Sequence, residues 1–292
     1  MNRALTFVSK GEAMLSVYDF LKEHGFSRRT ITSLKYEGGL VLNGDNVTVR
    51  AVISPGDHLM VRFPQEQASV GLVKQKGPLE IIYEDDAVLI VYKPVGLAVI
   101  PSMNHPSQTL GNYIAYYFEQ KGILSTVHIV TRLDTNTSGL VVVAKNKHYH
   151  HVLNEQIKNE QFERKYCALI EDSIDQLPFV IERPIARKNE SIIERMVCEE
   201  GQYAKTVVHR TRKWNNFYLV ELQLFTGRTH QVRVHLSSIG RPIVGDDLYG
   251  SSFQAIQGHA LLCSEVSFKH PITGEMRTFT LDVEERMSQL LH

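Results

Sequence analysis

Apolar positions at the start of the chain change from helical to strand-like spacing. Residues 12–24 carry apolar side chains three positions apart and are followed by Gly25, which predicts a helix with a glycine stop. A second short helix is predicted to begin at Ser27, whose hydroxyl is a good N-cap, and to end at Gly38. The spacing thus predicts two consecutive helices.

A small sheet is predicted to follow these helices. Asn43-Gly44 separates two β-prone runs, and this pair favours a hairpin because both residues tolerate positive φ. The second run alternates apolar and polar residues up to Val52, and a further turn leads into a predicted strand over 59–63. Residues 12–63 are therefore predicted to form a small α+β domain.

The composition changes over residues 64–79, which are rich in Gln, Glu, Ser, Lys and Gly without periodicity and are typical of a linker. Residues 80–292 then carry more strand-like runs than helical ones. The predicted strands cover 80–83, 87–92, 139–144, 166–170, 218–225 and 260–268, and the predicted helices cover 109–121, 148–158 and 229–239. Strands that follow one another directly predict an α+β domain with a mixed, mainly antiparallel sheet.

Composition and charge change this picture little. The chain has 292 residues, 43% of them apolar, which is enough to bury a substantial core. No apolar run approaches the ~20 residues that span a bilayer. The 32 basic and 32 acidic residues cancel, so binding of a nucleic acid would require a local basic face.

The cysteines and the N-terminus indicate where the protein acts. Cys167, Cys198 and Cys263 are far apart and odd in number, so we expect small buried side chains and no disulfide framework or metal site. The first residues lack the apolar core and cleavage site of a secretory signal. We therefore expect a cytoplasmic protein without a membrane association.

Asp134 is the first candidate for chemistry, because it lies on a turn that leads into a predicted buried strand. Arg132 and Thr137-Ser138-Gly139 flank it. A carboxylate in such a place is held rigidly and can still meet a substrate. The alternative is an Asx turn, in which Asp134 caps its own backbone. The spacing alone does not decide between the two.

A second cluster of polar side chains lies within residues 226–236. Its members are Arg228, His230, Gln231, Arg233 and His235, next to Gly227. The glycine permits close backbone approach, so the cluster is a candidate for contacting phosphates and bases. The alternative is a solvated helix face. Zinc is disfavoured, because a separation of five residues does not place two imidazoles on one helix face.

Other readings of the sequence have weaker support. Residues 245–250 lack the alternating oxygen ligands of a calcium loop, and no P-loop or G-x-G-x-x-G pattern indicates a nucleotide cofactor. A hydrolase with paired carboxylates lacks a clear second acid, since Asp246 and Asp247 lie in a predicted turn without an evident partner.

Taken together, the motifs resemble the RluA-type family of RNA pseudouridine synthases over nearly the whole chain. The family patterns and the matching residues are H-R-L-D-x-x-T-S-G-L at 131–140, K-P-x-G-L at 93–97, the K-x-Y-x-A type strand at 165–168, T-G-R-T-H-Q-I-R-V-H-L and G-x-P-I-x-G-D-x-x-Y-G within 226–250, and H-A-x-x-L/C…F-x-H-P within 259–271. The one departure in the first pattern is Thr131, where the family has His. Several separated motifs in the right order make the resemblance specific.

The N-terminal segment is similar to the RNA-binding module named after ribosomal protein S-four. Arg28, Arg29 and Lys35 match its basic helix, and residues 41–44 match its V-x-V-N-G strand. The resemblance therefore implies a small α+β RNA-binding domain before an α+β pseudouridine synthase domain with a mainly antiparallel mixed sheet.

The resemblance implies an isomerase that detaches uracil, rotates it and rejoins it through ring carbon 5, without a cofactor or metal. Asp134 would be the nucleophile at the anomeric carbon or the base that removes the neighbouring ribose proton, and both roles remain open. Arg233 would hold its charge, with an attraction of about 4 kcal/mol at ~4 Å and an effective dielectric constant of ~20. Tyr166 would stack on the flipped base.

The resemblance also implies which residues meet RNA. Arg132 would enter the RNA stack as the target nucleotide leaves, and Arg228, His230 and Gln231 would contact the RNA. Arg228 has an alternative role, in which it orders the loop by bonding to backbone carbonyls. We expect a monomer acting on ribosomal or transfer RNA. A non-catalytic RNA-binding protein is the second hypothesis, but pure binding would not need a buried carboxylate near anionic RNA.

Overall fold

The computed structural model describes residues 4–11, 13–66, 71–253 and 256–291. Within these ranges the helices are α1 (Val17–Glu23), α2 (Arg28–Glu37), α3 (Leu110–Gln120), α4 (Lys147–Lys158), α5 (Gln231–Ser238) and α6 (Val283–Leu290), with a 3-10 turn at Asp247–Tyr249. Residue 12, where the first predicted helix and domain begin, lies outside the described residues. So do residues 67–70 of the predicted linker and residue 292, the predicted end of the second domain.

The strands of the described chain are β1 (Ala4–Val8), β2 (Leu15–Ser16), β3 (Gly39–Leu42), β4 (Asp45–Asn46), β5 (Val52–Ile53), β6 (His58–Arg62), β7 (Glu80–Glu84), β8 (Val88–Lys93), β9 (His128–Ile129), β10 (Ser138–Ala144), β11 (Glu163–Ile170), β12 (Phe179–Glu182), β13 (Ile185–Arg187), β14 (Arg195–Val197), β15 (Lys205–Trp214), β16 (Phe217–Leu224), β17 (Leu261–Lys269) and β18 (Met276–Thr280). They form a four-stranded sheet, a ten-stranded sheet and two short pairs.

The large sheet has the order β12-β15-β16-β11-β17-β10-β8-β7, with β18 added to β17 and β9 added to β10. Its neighbours are antiparallel except for β10 and β17, which run parallel over two residue pairs within the described chain. The four-stranded sheet has the order β1-β6-β3-β4 and is antiparallel. The predicted α+β fold with a mixed, mainly antiparallel sheet is confirmed. None of the described helices is long and apolar enough to cross a bilayer.

The first two helices are where the sequence placed them, with one error at the start. α1 begins at Val17 and not at residue 12, because Ser16 is its N-cap and accepts from the backbone N–H of Asp19 at 3.1 Å. α2 begins after Ser27 and ends at Gly38, as predicted. A Cβ at Gly38 would lie 2.6 Å from the carbonyl oxygen of Arg62, so close packing of the neighbouring strand requires glycine there.

The predicted hairpin forms, but its second strand is shorter than predicted. Asn43 and Gly44 have φ of 50° and 99°, as this tight turn requires. The alternating run after the turn leaves the sheet after β4, because the carbonyls of Val49 and Ala51 accept hydrogen bonds from the first backbone N–H groups of α1. The fourth strand of this sheet is β1, which pairs with β6 and was not predicted.

In the larger part of the chain, side-chain caps define α3 and α4 close to their predicted bounds. Thr109 and Asn112 form a reciprocal capping box at α3, and Asn146 caps α4. α5 begins two residues later than predicted, because His230 adopts left-handed angles, φ 58° and ψ 20°, and interrupts the helix. α6 was not predicted.

The N-terminal segment packs against α4. The rings of Phe26 and Phe63 stack on His148, with centroids 3.9 and 5.3 Å away. Burial lowers the pKa of His148 to about 3, so this imidazole is neutral and behaves as an aromatic core residue. One continuous apolar core therefore runs from the small sheet into the large sheet.

Next to this contact, the Glu66 side chain binds residues of α4 and of the segment around β9. Its carboxylate accepts from the Lys147 backbone N–H at the start of α4 (2.7 Å) and from Thr126 (3.0 Å), and it lies 2.6 Å from His128 Nε2. Burial alone would raise the pKa of this carboxyl, but His128 and the backbone N–H groups lower it to about 2. Glu66 is thus a half-buried, charged anchor between the N-terminal segment and α4.

We expect Glu66→Gln to lower the free energy of unfolding by about 2 kcal/mol at pH 7, less than the full pKa shift implies because the carboxylate is partly exposed. The folded pKa is depressed, so this stability is present above the ordinary value of 4.5 and is lost as the pH falls towards about 2. Urea denaturation between pH 3 and pH 7 measures it. The exposed Glu190→Gln is the control. If the free energies of unfolding of Glu66→Gln and wild type differ by the same amount at every pH, the proposed role of the charged Glu66 is wrong.

Candidate active site

The turn before β10 presents the Asp134 carboxylate to solvent at one edge and to the buried Arg233 guanidinium at the other. The backbone N–H of Thr137 donates to the Asp134 carbonyl at 3.0 Å and closes the turn. Asp134 Oδ2 lies 3.4 Å from Arg233 Nη1 and 3.9 Å from His230 Nε2. Among the described residues the carboxylate accepts a hydrogen bond from Arg233 and not from its own backbone. The Asx-turn alternative is therefore not the arrangement in the structure.

The ends of this turn are fixed by close packing. Gly139 has a φ of 126°, and a Cβ there would lie 2.4 Å from the backbone of Cys263, so only glycine lets β10 and β17 meet. Thr131, which replaces the family histidine, is buried, and its hydroxyl accepts from the Val142 N–H at 3.0 Å. The departure at position 131 thus has a structural role in holding the turn against β10.

Arg233 is the buried cation beside Asp134, and Asp246 is what holds it. Its Nε and Nη2 donate to the two carboxylate oxygens of Asp246 at 2.7 and 2.9 Å. Burial by itself lowers the pKa of the guanidinium, but the hydrogen bonds and charge of Asp246, and then Asp134, raise it above its usual value. Because this bidentate pair uses one edge of the guanidinium, Nη1 is left to face Asp134.

Asp246 corrects the sequence analysis, which found no partner for it. The residue is fully buried, and both its oxygens are bound by Arg233. It is therefore not free to serve as the second acid of a hydrolase. The donor atoms of Asp246, Asp247 and His259 lie within 4.8 Å of one another, but a cation there would compete with the guanidinium for both Asp246 oxygens.

Tyr166 lies on β11 opposite Cys263 of β17, at an irregularity in the pairing. Its side chain is buried. Burial raises the pKa of the phenol well above its usual value, and the nearby Cys263 and Asp134 act in the same direction. The phenol is therefore protonated at neutral pH and close enough to Asp134 to sense its charge.

Lys93 is a site residue that the sequence indicated only as the first position of the K-P-x-G-L pattern. Its ammonium is fully buried and donates to the carbonyls of Pro94 (2.7 Å), Leu97 (2.9 Å) and Thr135 (3.0 Å). Burial lowers the pKa of Lys93 to about 7, against the opposing charge of Asp134. The signal was a lysine that ends an otherwise apolar strand. Its effect is to fix the backbone next to Asp134.

The cluster of polar side chains within residues 226–236 contains both exposed and buried residues. Arg228 is exposed, and its Nε donates to the Tyr203 carbonyl at 2.8 Å, the kind of contact expected if it orders the loop. Gln231 is buried, and its amide makes four hydrogen bonds with residues 205, 206, 226 and 228. This amide has no free group left for RNA. His235 is also buried and bonded to Thr206 and the Arg183 carbonyl, and none of its described contacts is with His230.

Four predicted RNA-contacting cations lie on the surface. Arg132 is exposed beside Asp134, and within the described chain it has no hydrogen bond or ion pair. Arg28, Arg29 and Lys35 are exposed on α2. None of the contacts described for these three involves Asp134 or Arg233, so the predicted basic helix is not part of the cluster around Asp134.

Comparison with known proteins identifies the family. The sequence profile of a family described as RNA pseudouridylate synthase matches residues 87–238. The chain is 41% identical over 278 residues, 95% of its length and 98% of the relative's, to "Uncharacterized RNA pseudouridine synthase YjbO" of Bacillus subtilis (strain 168). It is 35% identical over 228 residues, 73% of its length and 72% of the relative's, to "Ribosomal large subunit pseudouridine synthase D" of Zymomonas mobilis.

Solved structures show the same fold. The human protein "RNA Pseudouridylate Synthase Domain Containing 1" superposes with a TM-score of 0.58 at 24% identity, over 71% of this chain and 86% of the human chain. The human protein "RNA Pseudouridylate Synthase Domain Containing 4" gives a TM-score of 0.58 at 21% identity, over 73% of this chain and 92% of the other. The fold is thus shared with both.

Proposed function

Because this chain belongs to the RluA-type RNA pseudouridylate synthase family and is an isomerase, we propose that it converts specific uridines to pseudouridine with Asp134 as the catalytic carboxylate. The observation that carries the proposal is the arrangement of Asp134, Arg233 and Asp246. The buried Arg233 is held by two hydrogen bonds to Asp246. Its remaining edge faces Asp134, whose carboxylate is partly exposed to solvent. Such a carboxylate is held at a fixed position beside a positive charge.

Two first steps are compatible with this geometry, and both use the ionised carboxylate. Asp134 either attacks the anomeric carbon of the ribose, so that uracil leaves with the bonding electrons, or removes the proton of the neighbouring ribose carbon. In the second case, loss of this proton expels uracil and leaves a double bond between the two ribose carbons. In either case the detached base rotates and its carbon 5 bonds to the anomeric carbon, as the bond to Asp134 breaks or the ribose proton is returned. The carbon-5 proton is then lost, and ring nitrogen 1 takes up a proton. No net oxidation or hydrolysis occurs, because the product is an isomer of the substrate.

Tyr166 is proposed to face the flipped base. Its phenol is neutral and buried next to Asp134, which suits stacking and hydrogen bonding better than ionic contact. Flipping a nucleotide out of a helix costs roughly a few kcal/mol, and stacking on an aromatic ring returns about 1–3 kcal/mol. Arg132, exposed and without a described partner, is the side chain we propose to occupy the gap in the RNA stack.

Ribosomal RNA is the substrate we propose first, with transfer RNA as the alternative. The relative from Zymomonas mobilis is named for the large ribosomal subunit, and this supports ribosomal RNA without identifying the uridine. We further propose that the enzyme acts as a cytoplasmic monomer. The direct test is to map pseudouridines in total RNA from cells with and without the gene. A site missing only in the deletion strain identifies the substrate, and unchanged maps would reject the proposed activity.

Residues 12–63 are proposed to be an RNA-binding domain, joined by residues 64–79 to a catalytic domain over 80–292. Deleting residues 1–63 should weaken RNA binding more than it disturbs the site around Asp134 and Arg233. However, the deletion also uncovers His148, which Phe26 and Phe63 cover in the intact chain. Substitutions on the exposed face of α2 are therefore the sharper test.

We expect the triple variant Arg28→Ala, Arg29→Ala, Lys35→Ala to bind RNA on the order of 10-fold more weakly, with an unchanged kcat at saturating RNA. Each lost phosphate contact should also flatten the salt dependence of the affinity by roughly one unit of log–log slope. Filter binding at several salt concentrations measures both quantities.

The matched control removes the same charge from other exposed positions, Lys121, Lys269 and Arg277. Equal losses of affinity in the two triple variants would show only a general charge effect and would remove the role proposed for α2.

A further inference from the structure

His230 and Tyr249 form a hydrogen-bonded pair beside Asp134 that the mechanism above does not use. His230 Nδ1 lies 2.8 Å from the Tyr249 hydroxyl, and the backbone N–H of Arg195 donates to the same hydroxyl at 2.8 Å. The other ring nitrogen, Nε2, faces Asp134 Oδ2 at 3.9 Å. The imidazole is thus held between a phenol and the candidate catalytic carboxylate.

The hydrogen bonds determine which nitrogen of His230 carries the proton. The Tyr249 oxygen already accepts from Arg195, and burial raises the pKa of this phenol, so its hydrogen remains in place. Among the described contacts no other acceptor lies within hydrogen-bond distance of the Tyr249 hydroxyl, so we assign its hydrogen to a bond with His230 Nδ1. Nδ1 is therefore unprotonated, and in the neutral ring the proton is on Nε2.

The charges around His230 are consistent with a neutral ring. Burial lowers the pKa of His230, as do the positive charges of Arg233 and Arg195, whereas Asp134 and Asp246 oppose this. A neutral imidazole with a fixed tautomer is a directional hydrogen-bond donor through Nε2. It points at a carboxylate that is too distant to accept the bond itself, since N–H···O bonds rarely exceed about 3.2 Å.

The separation of these two groups allows an oxygen atom to bridge them from one side. A point roughly 2.8 Å from each of two atoms exists easily when the atoms are 3.9 Å apart. Such an oxygen would accept from His230 Nε2 and donate to Asp134 Oδ2, which requires a group that is donor and acceptor at once. A hydroxyl has this property, and a phosphate oxygen or a carbonyl does not.

We propose that His230, oriented by Tyr249, binds the ribose 2′-hydroxyl of the target nucleotide against Asp134, and so selects RNA over DNA. This rests on the proposed function, because it assigns a specificity contact within the same site. The 2′-hydroxyl is attached to the ribose carbon next to the anomeric carbon, so the contact serves either first step. It is also the group that distinguishes RNA from DNA at a given position.

Tyr249→Phe is the variant that separates this role from a structural one. It removes only the hydroxyl and keeps the ring that packs against the Arg233 guanidinium, 4.8 Å from its centroid. Tyr203→Phe is the matched control, since its exposed phenol likewise makes one side-chain hydrogen bond, to Glu182. His230→Asn is the second variant, because asparagine tolerates the left-handed backbone of this position.

The experiment compares two RNA substrates that differ only in the 2′-hydroxyl of the target uridine. We expect Tyr249→Phe and His230→Asn to lower kcat/KM on the all-ribose RNA by on the order of 10-fold or more, and to change the 2′-deoxy RNA far less. If the deoxy RNA does not react, competition binding supplies the same comparison. Equal losses on both substrates would overturn the proposal, and Tyr203→Phe should leave both unchanged.

The tautomer is tested independently by ¹⁵N NMR of histidine-labelled protein, with His230→Asn identifying the resonance. A protonated Nε2 and an unprotonated Nδ1 are expected in the wild type, and the reverse tautomer would overturn the proposal. Absence of pseudouridine formation by the wild type would instead reject the proposed function, while the NMR result would stand apart from it.

Discussion

Asp134→Asn is expected to lower kcat by at least about 10⁴-fold and to leave RNA affinity within about 2-fold. Loss of a nucleophile or general base in a concerted site typically costs on the order of 10⁴–10⁶-fold. The amide keeps the size of the side chain and can still contact Arg233, but it cannot attack a sugar carbon or remove its proton. Removing a negative charge beside anionic RNA should not weaken binding.

Tritium release from RNA labelled at uracil carbon 5 measures turnover, and filter binding measures affinity on the same preparation. The matched control is Asp172→Asn, because Asp172 is exposed and lies 3.8 Å from its only described partner, Arg241. Wild-type turnover by Asp134→Asn would reject the assignment of the carboxylate. Loss of RNA binding together with turnover would indicate a binding role and favour a non-catalytic RNA-binding protein.

Asp246→Asn is expected to have the largest effect on stability, lowering the free energy of unfolding by about 3 kcal/mol. Asp246 and Arg233 are both buried, and removing one member of such a pair costs about 3–5 kcal/mol because the other charge is left uncompensated. The amide oxygen of asparagine can still accept one hydrogen bond from Arg233, so we expect a loss at the lower end of this range. Urea denaturation at pH 7 measures this change.

The same substitution should lower kcat by on the order of 10²-fold. With Asp246 neutral, the Arg233 guanidinium has only Asp134 as an anionic partner and will move towards it from the present 3.4 Å. A shift of about 1 Å in a catalytic group is enough for such a loss. Asp247→Asn, at the exposed neighbouring position, is the control. Wild-type stability and turnover in Asp246→Asn would show that Arg233 does not depend on this partner.

Local elements were largely predictable because their causes are local. Ser27 and Thr109 cap the helices that follow them, and Asn43-Gly44 turns the hairpin. Each of these effects depends on residues within four positions of one another. The start of α5 was not predictable in this way, because the left-handed His230 is held by Tyr249, nineteen residues later in the chain.

In the candidate site, too, the sequence predicted some residues, and their contacts depend on distant parts of the chain. The motifs place Asp134, Tyr166 and Arg233 in one family pattern, but the pattern does not say which group holds which. Asp246 lay in a turn motif and was set aside, although it makes the two shortest side-chain contacts of Arg233. Gln231, expected to meet RNA, is instead saturated by internal hydrogen bonds.

The sequence by itself determined the fold class, most of the caps and turns, and the family, and it predicted Asp134, Tyr166 and Arg233 as site residues. These follow from short-range spacing and from motifs that can be read in order along the chain. Only the tertiary structure decided that Lys93 fixes the backbone beside Asp134, that Asp246 binds Arg233 and that Tyr249 orients His230. The physical reason is that a buried charge or polar group needs a partner within about 3 Å. Which partner that is depends on how distant strands and loops pack.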